Sequence, residues 1–144
     1  MEETVLEREE EEILQTLNLN THENVLKNNA FTIKLLHPNH AIIMIDSARC
    51  ERVNDTPQIY DGVLFSAATF AATAAVNEEK MFLIGVHIDF LNPVKEEGEI
   101  LFEAKANVTS SGKKVVDVRG SINGIEFMQG DFMLLKLDEK SLIK

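Results

Sequence analysis

The chain has 144 residues, 44% of them hydrophobic, with one Cys and no Trp. This suits a single globular domain that buries about two-thirds of its unfolded surface and folds without disulfide or metal. Its 14 Lys plus Arg stand against 24 Asp plus Glu, a net charge of −10 that opposes contact with DNA, RNA or anionic lipid.

Residues 1–12 hold seven Glu and one Arg, more than half of the net charge. The N-terminus reads Met-Glu-Glu and no run of about 18 apolar residues occurs, so we expect neither signal peptide nor membrane span, and a cytoplasmic protein. Leu6, Ile13 and Leu17 share one side at helical spacing while Glu9 to Glu12 fill the rest, which predicts an acidic surface helix over 3–17. A short second helix follows around 22–29. We read residues 1–30 as an N-terminal acidic helical segment and 31–144 as the main domain. The two short helices carry no basic cluster, so they make no DNA reader.

From Phe31 the pattern turns to strands. Residues 31–36 and 41–45 are rich in β-branched and apolar types and flank a Pro38-Asn39 turn, which predicts a hairpin. A polar loop from Asn54 leads to Gly62. Every residue from Val63 to Val76 is apolar, Ala, Ser or Thr, which predicts a helix buried on nearly all sides. Six alanines on it call for close packing. Four further strands are expected over 82–91, 99–109, 114–122 and 125–137, as an antiparallel meander. Asn123-Gly124 is a hairpin signal, because a type I′ turn needs positive φ at both central residues. In 116–122, Val116, Val118 and Ile122 alternate with Asp117, Arg119 and Ser121, so one face meets the helix and the other is partly wet. The sum is an α+β fold, an antiparallel sheet wrapped around a central buried helix. Its open edges predict dimerisation, with a pairing of dimers into a tetramer left open by the sequence.

The Gly turn before the helix, the Asn after it, and Ile88-Asp-Phe-Leu-Asn-Pro-Val-Lys-Glu-Glu-Gly98 resemble the hotdog-fold superfamily, in its PaaI-like thioesterase branch, over residues 31–137. The last three strands, with Gly130-Asp-Phe, also resemble the effector domain of the fatty-acid-synthesis repressor FapR, which binds malonyl-CoA without hydrolysing it. The resemblance implies a homodimer that binds acyl-CoA as ligand or substrate at its interface, with no other cofactor. Backbone N–H groups at the central helix's N-terminus, here those of Gly62 and Val63, would polarise the thioester carbonyl.

PaaI-like thioesterases carry a His-Gly-Gly turn and, two helical turns later, a carboxylate that acts as nucleophile or base. The matching positions here are Tyr60-Asp61-Gly62 and Thr69. A threonine hydroxyl cannot replace a carboxylate base unaided. The residues therefore leave two readings: an acyl-CoA-binding sensor, carrier or regulator, or a thioesterase of non-standard centre. In the second, Asp61 would act as a displaced base, or Thr69 would orient water. Otherwise Asp61 is the helix N-cap. Thr69 either contacts a pantetheine amide or bonds back to a helix carbonyl, and Tyr60 either lines the acyl tunnel or merely packs. Asn77 is expected to cap the helix C-terminus. Lys113, Lys114 and Arg119 are candidates to meet the CoA phosphates. His22, His37, His40 and His87 lack metal-ligand spacing and read as surface residues, with no metal site, and Cys50 reads as an ordinary strand or loop residue. A third reading is a module whose acidic helix recruits another protein.

Overall fold

The computed structural model describes residues 17–109 and 112–137. The helix expected over 3–17 lies, but for Leu17, outside them, as do Ser110 and Ser111 of the turn before Lys113 and the tail from 138. The elements run α1 (Glu23–Asn28), β1 (Phe31–His37), β2 (His40–Asp46), a 3-10 turn (Ser47–Arg49), α2 (Asp61–Val76), β3 (Met81–Phe90), β4 (Glu99–Val108), β5 (Lys114–Ile122) and β6 (Ile125–Lys136).

All six strands form one antiparallel sheet in the order β1-β2-β4-β5-β6-β3. The meander is thus corrected at one joint. β3 does not pair with β4; it lies beyond β6, where Ile88 faces Gly130, while β4 inserts beside β2, where Ile43 faces Phe102. Alternation within a strand names its faces but not its neighbours, and the 91–98 connection is long enough to carry the chain across the sheet. At Asn123 and Gly124, φ is 52° and 78°, as the type I′ hairpin requires.

The sheet wraps α2. Ala67, Ala68, Ala71, Ala72, Ala74 and Ala75 are fully buried, and they join Ala41, Ile43, Ile100, Phe102, Ala104, Val116 and Val118 from the strands in one core. Small side chains let the helix axis approach the sheet closely, and burying the large partners beneath supplies most of the stability. Phe70 stacks on Phe31 with ring centroids 5.2 Å apart. Leu19, Val25 and Leu26 pack against the same core. Asn77, in the left-handed region, closes α2 by donating its N–H to the Thr73 carbonyl at 2.8 Å, as expected. Its side chain also donates to Asn18 O and accepts from Asn20 N–H, which ties the incoming chain to the helix end.

Two expectations about α2 change. The helix starts at Asp61, two residues early, and it is not buried all round, since Asp61, Phe65 and Ser66 are exposed and Thr69 is half-buried. This open stripe lies on its N-terminal half. None of its residues is charged after Asp61, so hydropathy alone could not separate it from the core face.

Candidate functional site

The open stripe borders two neighbouring depressions that share Ser66 as a lining residue. The first, about 450 Å³, lies at the N-terminus of α2 and is lined by Asn29, Phe31, Ile45, Arg49, Glu51, Tyr60, Gly62, Val63 and Ser66. The second, about 270 Å³ and almost wholly apolar, continues along the helix between His22, Val25, Phe65, Ser66, Thr69, Phe70 and Thr73. Ser66 borders both, which makes a polar mouth with an apolar extension.

The loop structure explains how the mouth is held. Ser47, buried, donates its N–H to Gly98 O and accepts Gly98 N–H on Oγ, both at 2.9 Å. Asp46 caps the 3-10 turn by accepting from Ala48 N–H at 2.9 Å. These bonds fix the turn that carries Arg49. Further on, Tyr60 N–H donates to Glu51 O and Ile59 N–H to Val94 O, both at 2.9 Å, so the approach to α2 is strapped on two sides.

Tyr60 is the N-cap residue of α2, and its side chain makes no capping hydrogen bond. The N-cap expectation for Asp61 is therefore corrected: it is the first helical residue, because the chain turns one residue earlier. The Asp61 side chain borders a different cleft, with Gln58, Phe90, Leu91 and Pro93, and does not line the mouth. Val63 N–H is taken, donating to Tyr60 O at 3.1 Å. Gly62 N–H has no protein acceptor among the described residues and, like Asp61 N–H, is a free donor at the positive end of the helix; of the two residues only Gly62 lines the mouth. The Tyr60 ring leans over Gly62, where a Cβ would clash with Cε2.

Thr69 donates its hydroxyl to Phe65 O at 2.9 Å, the back-bonding alternative. Tyr60, Gly62 and Val63 meet at the mouth, and Thr69 joins them through the apolar extension. The three basic candidates do not. Lys114, following Lys113, pairs with Glu78 at 3.8 Å just past the C-terminus of α2, about 22 Å of helix from Gly62. Arg119 lies on the outer face of the sheet, bonded to Asp117 at 3.3 Å and near Glu126 at 3.6 Å. The Asp117 hydrogen bond is the main cause that raises the Arg119 pKa. Sequence reading missed Arg49, which only the folded 3-10 turn carries to the mouth.

Elsewhere, His40 meets Glu103 at 2.8 Å and His87 meets Asp89 at 3.2 Å. Among the described residues no group of three His, Cys, Asp or Glu converges as a metal site, and no helix is long and apolar enough to cross a membrane. Cys50 is buried and free, and burial pushes its thiol above its ordinary range, with Arg52 opposing and Asp46 adding.

No family model matches the chain. Over 98 residues, 68% of its length, it is 29% identical to methylthioribose-1-phosphate isomerase of Aquifex aeolicus, of which it spans 22%. Among solved structures, the sigma28-regulated virulence protein Cj0977 of Campylobacter jejuni superposes with TM-score 0.77 at 26% identity, over 91% of this chain and 92% of that one. PaaI from the E. coli phenylacetic acid degradation operon gives TM-score 0.69 at 16% identity, over 81% and 86%. A hypothetical thioesterase of Streptococcus pneumoniae, solved with coenzyme A, gives 0.61 at 14%, over 72% and 83%. The chain has the hotdog fold. Its hotdog neighbours include PaaI-like thioesterase-family proteins, as the segment from Ile88 to Gly98 implied.

Proposed function

We propose that this protein is a cytoplasmic, homodimeric hotdog protein that binds acyl-CoA along the N-terminal half of α2 and acts as a sensor, carrier or regulator. One observation carries the reading: a free Gly62 N–H and a polar mouth open into an apolar extension, with no carboxylate of α2 lining either. A thioester carbonyl would accept from Gly62 N–H at the positive helix end, and an acyl chain would run past Phe65 and Thr69. Coenzyme A in the Streptococcus neighbour supports the ligand class.

Dimerisation rests on β3. This edge strand exposes Phe82, Ile84 and Val86, and Phe90 and Leu91 continue the apolar surface at its end. Pairing with a second copy would satisfy its free backbone groups and cover those side chains.

The thioesterase alternative is favoured by the neighbours' family and by the Glu51 carboxylate at the mouth. The deciding experiment is native mass spectrometry of the protein with a panel of acyl-CoAs, followed over time. A dimer that retains intact acyl-CoA supports the binding role. Release of CoA and free acid would replace it with the enzyme reading, and comparing D61N with E51Q, since Glu51 lines the mouth and Asp61 borders a different cleft, would assign the base.

A further inference from the structure

We infer that Arg49 is the residue through which the mouth beside α2 grips an anionic group of its ligand, either a phosphate of the nucleotide half or a carboxylate on the acyl half. The inference rests on the acyl-thioester reading above and names the anion contact that reading lacked.

Three observations point to Arg49. Lys114 and Arg119, two of the cations expected for this role, are engaged elsewhere, with Glu78 at the far end of α2 and with Asp117 on the outer face. Arg49 instead lines the mouth, the only Lys or Arg that does, and forms no ion pair or side-chain hydrogen bond among the described residues. Its backbone is also fixed, by Cys50 N–H donating to Ser47 O at 3.1 Å and by the Ser47–Gly98 pair and the Asp46 cap around it. An arginine fork presented from a pinned turn loses little freedom when it meets a carboxylate or phosphate, whose two oxygens match its paired N–H groups. Glu51 lines the same mouth. Its charge disfavours an anion on its own side, so it confines the ligand's negative group to the Arg49 side and adds orientation to affinity.

The test is titration calorimetry of wild type, R49Q and R49K with three probes: S-butyryl-CoA, S-butyryl-pantetheine and S-succinyl-pantetheine. They carry phosphates with a neutral acyl group, neither anion, and a carboxylate alone. Arg49 is exposed, so R49Q is expected to fold with an unchanged thermal midpoint. Loss of one charge-assisted contact weakens the relevant probe by about tenfold, and R49K recovers part of it. If the anion is a phosphate, R49Q weakens butyryl-CoA and spares both pantetheine thioesters. If it is a carboxylate, R49Q weakens succinyl-pantetheine and spares the other two. Either pattern supports the inference. If R49Q binds every probe within about twofold of wild type, the inference falls and the acyl-thioester reading stands. If wild type binds none of the three, both fall together.

Discussion

The ring of Tyr60 occupies the space where a side chain at Gly62 would begin, with its Cε2 set against the position of a Cβ. Tyr60 is half-exposed and free to swing, so the clash does not threaten the fold. It does decide what stands over the free N–H.

We expect G62A to leave stability within about 1 kcal/mol of wild type, because alanine's better helix propensity offsets displacement of an exposed ring. Acyl-CoA affinity should fall, since the displaced ring and the new methyl crowd the donor. Calorimetry on G62A and on Y60A/G62A separates the two: partial recovery in the double variant assigns the loss to the ring.

At the sheet edge, I84K should keep the protein monomeric in light scattering at micromolar concentration. Ile84 is exposed on the edge strand β3, which pairs with β6 on one side only, and a lysine there is the usual device by which proteins block edge-to-edge pairing. A dimer unchanged in I84K would move the interface away from β3.

Asn77 has two separable tasks. N77G keeps the left-handed C-cap and loses only the bonds to Asn18 and Asn20, while N77A loses both. Chemical denaturation should therefore rank wild type above N77G and N77G above N77A, with N77A down by roughly 1–3 kcal/mol. Equal loss in the two would mean that the cap contributes nothing.

Cys50 should react slowly with iodoacetamide in the native protein, because burial disfavours its thiolate. The raised folded pKa has a stability consequence of definite sign. Below about 9 the thiol is protonated in both states, whereas above it the unfolded chain ionises first, so stability falls as pH rises toward the folded pKa. Denaturation of wild type and C50A between pH 8 and 10 should show this decline in wild type and a shallower one in C50A.

Much of the architecture was written in local pattern. The alanines of α2, the alternation around Val116 and the Asn123-Gly124 turn each state a periodicity or a φ requirement that short sequence windows carry. The hotdog segment ending at Gly98 added the sheet-on-helix arrangement. Strand order was not legible in the same way, because Ile88 gives no sign that its partner is Gly130 rather than a residue of β4. The site divides along the same line. Tyr60, Gly62 and Val63 are contiguous with the helix start and were found together, but Arg49 reaches them only through the 3-10 turn pinned to Gly98. Lys114 and Arg119 lie away from the mouth for a matching reason: the sequence shows their charges, but not their Glu78 and Asp117 partners or their place in the fold.

The strand order also governs how the chain must assemble. The β1–β2 hairpin is local, but it enters the sheet only by pairing with β4, where His40 meets Lys105. During synthesis the hairpin and the alanine-rich helix are therefore complete well before the strand that joins them to the rest, and beyond what they cover on each other, as Phe70 does on Phe31, their apolar faces wait uncovered while β3 and its connection are made. Closing so long a loop before any of its contacts can reward it makes refolding slow compared with a helical bundle of this size, and it marks the interval before β4 appears as the period of greatest exposure to aggregation.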